Sequence, residues 1–152
     1  MIEKQQQTTS HYEELISILG ASHFSQKIES PFDFIFCASR GINADIIKNF
    51  RKHFGIPADK TACMLNISEP TIYRWTKDNV EMKRNYSVKL LEITDLFLYG
   101  SRIFGTKENF FKWLELPNNA LGGMEPQELI EIPGGIEKVR AVIGRIEHGV
   151  FS

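Results

Sequence analysis

The chain has 152 residues, 18 of them basic and 19 acidic, which gives a formal net charge of −1 at pH 7. A chain of this length folds as one domain or two small ones, and 42% apolar with 24% charged residues is ordinary for a globular protein. The near-neutral total excludes an overall field that would attract nucleic acid.

Neither a targeting signal nor a membrane span is evident in the sequence. Met1–Ser10 is polar and rich in Gln and Thr, and no apolar run approaches the roughly 20 residues that a membrane-spanning helix needs. Cys37 and Cys63 belong to no metal or redox spacing, and their apolar neighbours predict two buried thiols. We therefore expect a cytoplasmic, reduced protein with no membrane contact.

The first third of the chain is predicted to contain a polar tail followed by helices. The composition of Met1–Ser10 predicts disorder, whereas apolar residues recur with helical spacing over Tyr12–Leu19, and Gly20 would end that helix. An apolar cluster after Pro31 is typical either of a core or of an oligomer interface, and both remain open. Its members are Phe32, Phe34, Ile35 and Phe36.

The next segment has the pattern of a helix-turn-helix. A helix over Ala44–Phe54 comes first, and Thr61–Trp75 then reads T-A-C-M-L-N-I-S-E-P-T-I-Y-R-W. Ser68 is predicted to cap the second helix of the motif, with Pro70 in its first turn, where a missing N–H costs little. Two short helices joined in this way cross steeply and offer the second helix to the major groove of DNA.

Thr61–Trp75 resembles the Xre-type pattern L-A-x-x-L-G-[VI]-S-x-x-T-[VI]-x-R-W. Thr61 replaces the usual Leu and Asn66 the usual Gly, but Asn tolerates the positive φ that the turn requires. The resemblance implies DNA contact from the second helix and its cap. The candidate residues are Ser68, Glu69, Thr71, Tyr73, Arg74 and Lys77. A three-helix packing module without DNA contact remains the alternative.

Charge is distributed unevenly along the chain. The segment Asp45–Gly105 has ten basic and seven acidic residues, whereas residues 1–44 have three and five, and residues 106–152 have five and seven. The basic surplus therefore lies with the helix-turn-helix, although a solvated charged face would produce the same count.

The remaining chain predicts a polar turn, a long buried helix and a small helical unit. Thr76–Asn85 reads as the turn, and Tyr86–Phe104 is apolar on nearly all sides, with a possible break near Gly100. Three short helices are expected after it, and their apolar stripes have helical spacing. These stripes are Phe110, Trp113 and Leu114 before Pro117; Leu129 and Ile130 after Pro126; and Ile136, Val139, Ile143, Ile146 and Val150, ending near Gly149.

The block F-x-x-W-L-x-x-P-N-x-A-L-G-G-x-x-P-x-E-L-I through G-x-x-x-V-x-x-x-I-x-R-I-x-x-G resembles the toxin-binding domain of the Xre/MbcA/ParS antitoxins. The resemblance implies an antitoxin that covers the active site of a RES-type, NAD-consuming toxin, and whose dimers bind their own promoter in a higher-order complex. By position, the marked toxin-binding residues are Trp113, Pro117, Asn118, Leu121, Gly122, Gly123, Arg145 and Gly149.

Several of these positions have a simpler interpretation. Trp113 and Leu121 fit the core of the small unit, and Gly122 with Gly123 fits a loop that needs unusual backbone angles. Arg145 and the polar or terminal segment Glu147–Ser152 are the better candidates for direct contact with a toxin.

The sequence lacks the convergent groups of an enzyme. The four histidines are scattered, no zinc motif or phosphate-binding loop is present, and we expect no metal and no cofactor. The predicted fold is all-α: an N-terminal tail and a helical or dimerisation extension over 1–43, an Xre-like helix-turn-helix unit over 44–105, and a toxin-binding domain over 106–152, joined through the long helix. The main hypothesis is an autorepressing antitoxin. The alternatives are a plain dimeric transcription regulator and an adaptor that has lost DNA binding.

Overall fold

The computed structural model describes residues 2–149, and the all-α fold class is confirmed. Within those residues the chain forms nine α-helices, two 3-10 turns (Ala21–His23 and Asn119–Leu121) and one pair of short strands, β1 (Ile42–Asn43) and β2 (Glu81–Met82). The helices are α1 (Ile2–Leu19), α2 (Asp33–Cys37), α3 (Asp45–Phe54), α4 (Ala58–Leu65), α5 (Glu69–Lys77), α6 (Arg84–Phe104), α7 (Lys107–Leu114), α8 (Pro126–Ile130) and α9 (Gly135–Glu147).

The chain divides into two compact units, one up to Asp95 and one from Leu96 onward, so that the boundary falls inside α6. We call these the N-terminal unit and the C-terminal unit. The predicted division at residues 43/44 and 105/106 stays a prediction. Across the described residues, no helix combines the length and apolarity that a membrane crossing requires.

The N-terminal helix begins earlier than the sequence predicted. Predicted disorder over Met1–Ser10 is wrong from Ile2 onward, because α1 runs without interruption to Leu19. Tyr12, Leu15 and Leu19 anchor it in the core as predicted, and its polar first turns extend from that anchor into solvent. The composition shows that these first residues lack an apolar face. It gives no information about a helix that continues from residues anchored in the core.

Helix α3 forms the middle of the N-terminal unit. The sequence predicted a helix here, and the structure buries one face of it, which consists of Ile46, Ile47, Phe50 and Phe54. The Asn43 side-chain oxygen accepts the Asp45 N–H at 2.9 Å, which satisfies a free donor at the start of this helix. Gly55, with φ 68°, ends it in the left-handed conformation.

A two-stranded antiparallel ladder corrects the predicted turn over Thr76–Asn85. Ile42 pairs with Met82 and Asn43 with Glu81. The ladder leaves no room for a side chain at Gly41, where an added Cβ would lie 2.2 Å from the Met82 carbonyl oxygen. Strands of two residues are too short to produce an alternating apolar pattern, so the sequence had no signal for them.

One of the two predictions of a buried thiol is wrong. Cys63 is exposed on α4 because the helix buries its neighbours Ala62 and Met64, and successive residues turn by about 100°. Cys37 is half-buried, and burial together with the Asp33 carboxylate raises the pKa of its thiol.

Aromatic side chains of α6 and α7 pack together in the C-terminal unit. Helix α6 continues through Gly100, so the suggested break is wrong. Glycine is needed there for close packing, since an added Cβ would lie 2.2 Å from the Phe110 ring. Phe110 packs edge-on to Phe97 at 5.6 Å and parallel to Trp113 at 6.1 Å, which fixes α7 against the end of α6.

Candidate functional site

Helices α4 and α5 are joined by a short turn at Asn66, in the order that the sequence predicted. Asn66 has φ 55°, which confirms the left-handed turn that was predicted for it. The Ser68 hydroxyl accepts the Thr71 N–H at 3.2 Å, and Pro70 lies in the first turn, as predicted. Thr61, which replaces the usual Leu, is fully buried and donates its hydroxyl proton to the Pro57 carbonyl at 3.0 Å. The hydrogen bond therefore satisfies the one polar group that this substitution adds.

The second helix has one buried face and one polar face. Ile72 is fully buried, and the half-buried Trp75 packs edge-on to Tyr86 at 5.2 Å between ring centroids. The predicted DNA-binding residues gather on α5 and its cap, where Thr71 is half-buried and the others are exposed: Ser68, Glu69, Tyr73, Arg74 and Lys77. The Tyr73 hydroxyl donates to the Glu69 carboxylate at 3.3 Å.

Two further cations are exposed near the start of α6. Lys83 precedes the helix and Arg84 is its first residue. Together with Arg74 and Lys77 they make four solvent-accessible basic side chains between residues 74 and 84. Flexible cations of this kind are typical contacts for a phosphate backbone, but they are equally typical of a solvated face.

The Asn118 loop in the C-terminal unit is closed by hydrogen bonds to a single residue. The Asn118 N–H donates to the Met124 carbonyl at 3.0 Å, and the Asn118 carbonyl accepts the Gly123 N–H at 2.9 Å. Gly122 and Gly123 have φ 68° and 83°, with open space where a Cβ would stand. The two glycines thus supply backbone conformation, which agrees with the simpler interpretation of these positions.

Apolar side chains flank this loop. Trp113 and Leu121 are half-buried and Pro117 is exposed, so the predicted residues are only partly available to a partner. Leu116 is 59% exposed and Ile132 is 43% exposed, and neither was among the site residues predicted from the sequence. Leu116 could have been found, because it lies outside the helical stripe and immediately before Pro117.

Near the end of α9, a polar cluster that was not predicted from the sequence consists of Tyr99, Arg102, Arg140 and Glu147. Arg145 and Gly149 are exposed on its last turn and just beyond it, while Val150, the final member of the predicted stripe, lies outside the described residues. The Tyr99 hydroxyl donates to the Glu147 carboxylate, and the Arg102 and Arg140 guanidinium carbons lie 5.4 Å and 5.1 Å from the Tyr99 ring centroid. Burial and the Glu147 carboxylate raise the pKa of Tyr99 to about 12.

The described residues do not assemble a catalytic metal centre. Between residues 2 and 149, no group of three or more His, Cys, Asp or Glu side chains could hold a metal ion. Two histidines pair with carboxylates, His11 with Asp95 at 2.6 Å and His23 with Asp45 at 3.0 Å, and both pairs tie elements of the N-terminal unit together.

Comparison with known proteins gives matches to one class. Residues 100–149 match the family model described as the antitoxin Xre/MbcA/ParS C-terminal toxin-binding domain. The chain is similar to Antitoxin Xre of Yersinia enterocolitica (serotype O:8 / biotype 1B), with 26% identity over 113 residues that cover 74% of this chain and 76% of the relative. It is also similar to Antitoxin Xre of Photorhabdus laumondii subsp. laumondii, with 35% identity over 48 residues, 32% of each chain.

Proposed function

Because the chain is an antitoxin of the Xre/MbcA/ParS type with a C-terminal toxin-binding domain, we propose that its toxin is a RES-type, NAD-degrading protein. In this proposal the antitoxin acts in the cytoplasm, covers the active site of the toxin, and represses its own operon through the helix-turn-helix. The family match also confirms the expectation of a non-enzymatic protein. The match of residues 100–149 carries the toxin-binding part of the proposal.

The chemistry of the C-terminal unit supports a protein partner. Leu116 and Ile132 are large apolar side chains left exposed, and the glycine loop of Gly122 and Gly123 allows close backbone approach. Arg145 adds an exposed guanidinium, a group suited to a pocket built for an anionic dinucleotide. We propose that these residues, with Trp113, Pro117, Asn118, Leu121 and Gly149, form the toxin-binding surface.

Co-expression with the product of the adjacent reading frame tests the proposal. If that product is a RES-type toxin, it should arrest growth and deplete NAD when expressed alone, and this chain should restore both. A growth defect that persists with equal antitoxin expression would contradict the toxin partner. The chain would then be interpreted as the alternative, a plain dimeric helix-turn-helix regulator.

The DNA-binding part of the proposal is supported by the outward face of α5. Arg74, Lys77 and Tyr73 are exposed on one short helix whose other face is packed, as a recognition helix requires. Phosphate contacts release counterions, so operator affinity should fall steeply as salt concentration rises. Affinity for the operator that does not respond to salt, or no affinity at all, would favour an adaptor that has lost DNA binding.

Arg74→Ala is expected to weaken operator binding by about 1–3 kcal/mol and to relax specificity at one base position. The reason is that the exposed Arg74 guanidinium can make a bidentate contact to a guanine edge, which no smaller side chain replaces. Gel shifts against the operator and its single-base variants measure both effects. Lys138→Ala is the matched control, because Lys138 is an exposed cation on α9. Equal affinity of the Arg74→Ala variant and the parent chain would contradict the assignment.

We also propose that the chain forms a homodimer through the apolar cluster after Pro31, which we call the Phe32 cluster. Phe34 is buried, whereas Phe32, Ile35 and Phe36 are 66%, 47% and 50% exposed, and the Phe32 and Phe36 rings stack edge-on at 5.3 Å. The core interpretation of the cluster therefore holds for Phe34, and we propose the interface interpretation for the three exposed residues. Phe36→Glu is expected to cost about 2 kcal/mol, or roughly thirtyfold in the dimer dissociation constant, by replacing apolar contact with charge.

Sedimentation equilibrium measures this change in dimer stability. Ile2→Glu is a suitable control, since Ile2 is an exposed apolar residue outside the cluster. A dimer of unchanged stability in the Phe36→Glu variant would place the subunit interface elsewhere.

A further inference from the structure

The polar side chains of α5 and its cap differ in whether they can donate or accept hydrogen bonds. Arg74 and Lys77 carry only donors, which suit phosphate oxygens and acceptor atoms on base edges. The Ser68 and Thr71 hydroxyl oxygens lie 2.6 Å apart, and Ser68 also accepts the Thr71 N–H, so both hydroxyls are engaged at the helix cap. The exposed Glu69 side chain is the one carboxylate among these residues, and a carboxylate only accepts.

A tyrosine on the same helix holds this carboxylate. Glu69 is the first residue of α5, and Tyr73 lies one helical turn after it, on the same face. The Tyr73 hydroxyl donates to the Glu69 Oε1 at 3.3 Å, and the tyrosine is 54% exposed, so the pair lies at the surface of the protein. A carboxylate that accepts one hydrogen bond keeps the capacity to accept others. The pair thus presents a partly fixed acceptor at the start of the helix.

The chemistry of DNA restricts what a carboxylate at this position can bind. Phosphate groups carry negative charge and no donors, so the DNA backbone repels Glu69. The N-terminal residues of a recognition helix approach the base edges. The donors in the major groove are the amino groups of cytosine and adenine, and adenine carries a ring-nitrogen acceptor beside its amino group. Cytosine is therefore the base that suits an acceptor-only side chain.

We propose that Glu69 determines operator specificity by accepting a hydrogen bond from the amino group of a cytosine, and that Tyr73 is the positioning residue that holds its carboxylate. This inference rests on the proposed function, in which α5 enters the major groove of the operator. A hydrogen bond that limits the rotation of Glu69 before contact lowers the entropy that base recognition must remove. Because the carboxylate repels phosphates at every sequence, Glu69 also weakens binding to DNA that lacks the cytosine.

Glu69→Gln is the sharpest test, because an amide keeps the size of the side chain and removes its charge. Since Gln pairs with adenine, the preference for cytosine at one position should fall roughly tenfold and shift toward adenine, and affinity for duplexes without the site should rise. Selection from a library of duplexes with a randomised central region, followed by competition gel shifts, measures both effects. Asp78→Asn is the matched control: it removes an exposed carboxylate at the end of the same helix and should leave the base preference unchanged.

Tyr73→Phe tests the positioning role, because it keeps the ring and deletes only the hydroxyl. The preference for cytosine should fall roughly threefold in the parent chain, and the same substitution should have no effect in a Glu69→Ala chain. An equal loss in both chains would overturn the positioning role, because Tyr73 would then contact DNA itself. Glu69 also complements the dipole of α5 from its first turn, but that role changes the unfolding temperature and not the base preference. Thermal unfolding of each variant is therefore measured alongside.

Operator binding by the parent chain distinguishes failure of this inference from failure of the proposed function. The expected result is that Glu69→Gln loses the preference for cytosine at a position where Arg74→Ala keeps it. A parent chain without salt-dependent affinity for its operator would overturn the DNA-binding part of the proposed function, and cytosine recognition with it. A parent chain that binds its operator, with the same base preference in the Glu69→Gln variant, would overturn cytosine recognition alone.

Discussion

Gly135→Ala is expected to destabilise the C-terminal unit by about 3 kcal/mol or more. The reason is a backbone clash: an added Cβ would lie 1.7 Å from the Leu129 carbonyl oxygen and 2.6 Å from its carbon. Gly135 opens α9, and its N–H donates to the Ile132 carbonyl at 2.9 Å, so the turn between α8 and α9 cannot open without losing that bond. Neither backbone segment can move aside cheaply, because Ile130 and Ile136 on either side are buried.

The neighbouring glycine gives a matched control. Gly134 has φ 78° but open space around its Cα, so Gly134→Ala meets only the cost of a left-handed alanine, about 1 kcal/mol. Thermal unfolding and toxin affinity should distinguish the two variants. Gly135→Ala should unfold at a lower temperature and lose toxin affinity, while its operator affinity persists. A Gly135→Ala chain that unfolds no earlier than the Gly134→Ala chain would contradict the close approach of α8 and α9.

Local rules predicted the turn and the cap between α4 and α5, because each of these signals lies within a few residues. Ser68 caps α5 through an N–H three residues away, and Asn66 adopts the left-handed conformation that its own side chain tolerates. The burial of Ile72 follows from helical periodicity alone. These features require no knowledge of the rest of the chain, and the structure confirms the predicted cap and turn.

Features that depend on distant residues could not be predicted. The pairing of Ile42 with Met82 joins segments 40 positions apart, and Tyr99 meets Glu147 across 48 positions. Gly135 is a helical residue that must be small because of Leu129, and this requirement also arises from packing between separate elements. A single sequence carries no periodic signal for such contacts, since they are created only when separate elements pack.

The candidate site was predictable as a set of residues but not as a surface. Pattern matching gave Asn118, Gly122 and Gly123, and the structure shows that they form one hydrogen-bonded loop. The same matching could not distinguish Trp113, which packs on Phe110, from residues available to a partner. Leu116 and Ile132 became candidates only because they are exposed, and exposure depends on the packed structure.

Deleting Glu147–Ser152 is expected to abolish toxin neutralisation, with toxin affinity falling on the order of 100-fold or more, as for loss of an interface hot spot. The deletion removes the last residue of α9 and the polar or terminal residues that we regard as the best candidates for direct contact. It leaves the buried Ile136, Val139 and Ile143 in place, so α9 should stay folded. Growth under co-expression of toxin and truncated chain measures the loss.

Two controls show whether the deletion acts on the toxin alone. Operator affinity should remain at the parent value, because α4 and α5 belong to the N-terminal unit. Glu137→Ala, at an exposed position in the first turn of α9, should neutralise normally if the contact lies at the other end of the helix. Full protection by the truncated chain would exclude the tail from the mechanism, and the contact would then be sought at the exposed apolar side chains Leu116 and Ile132.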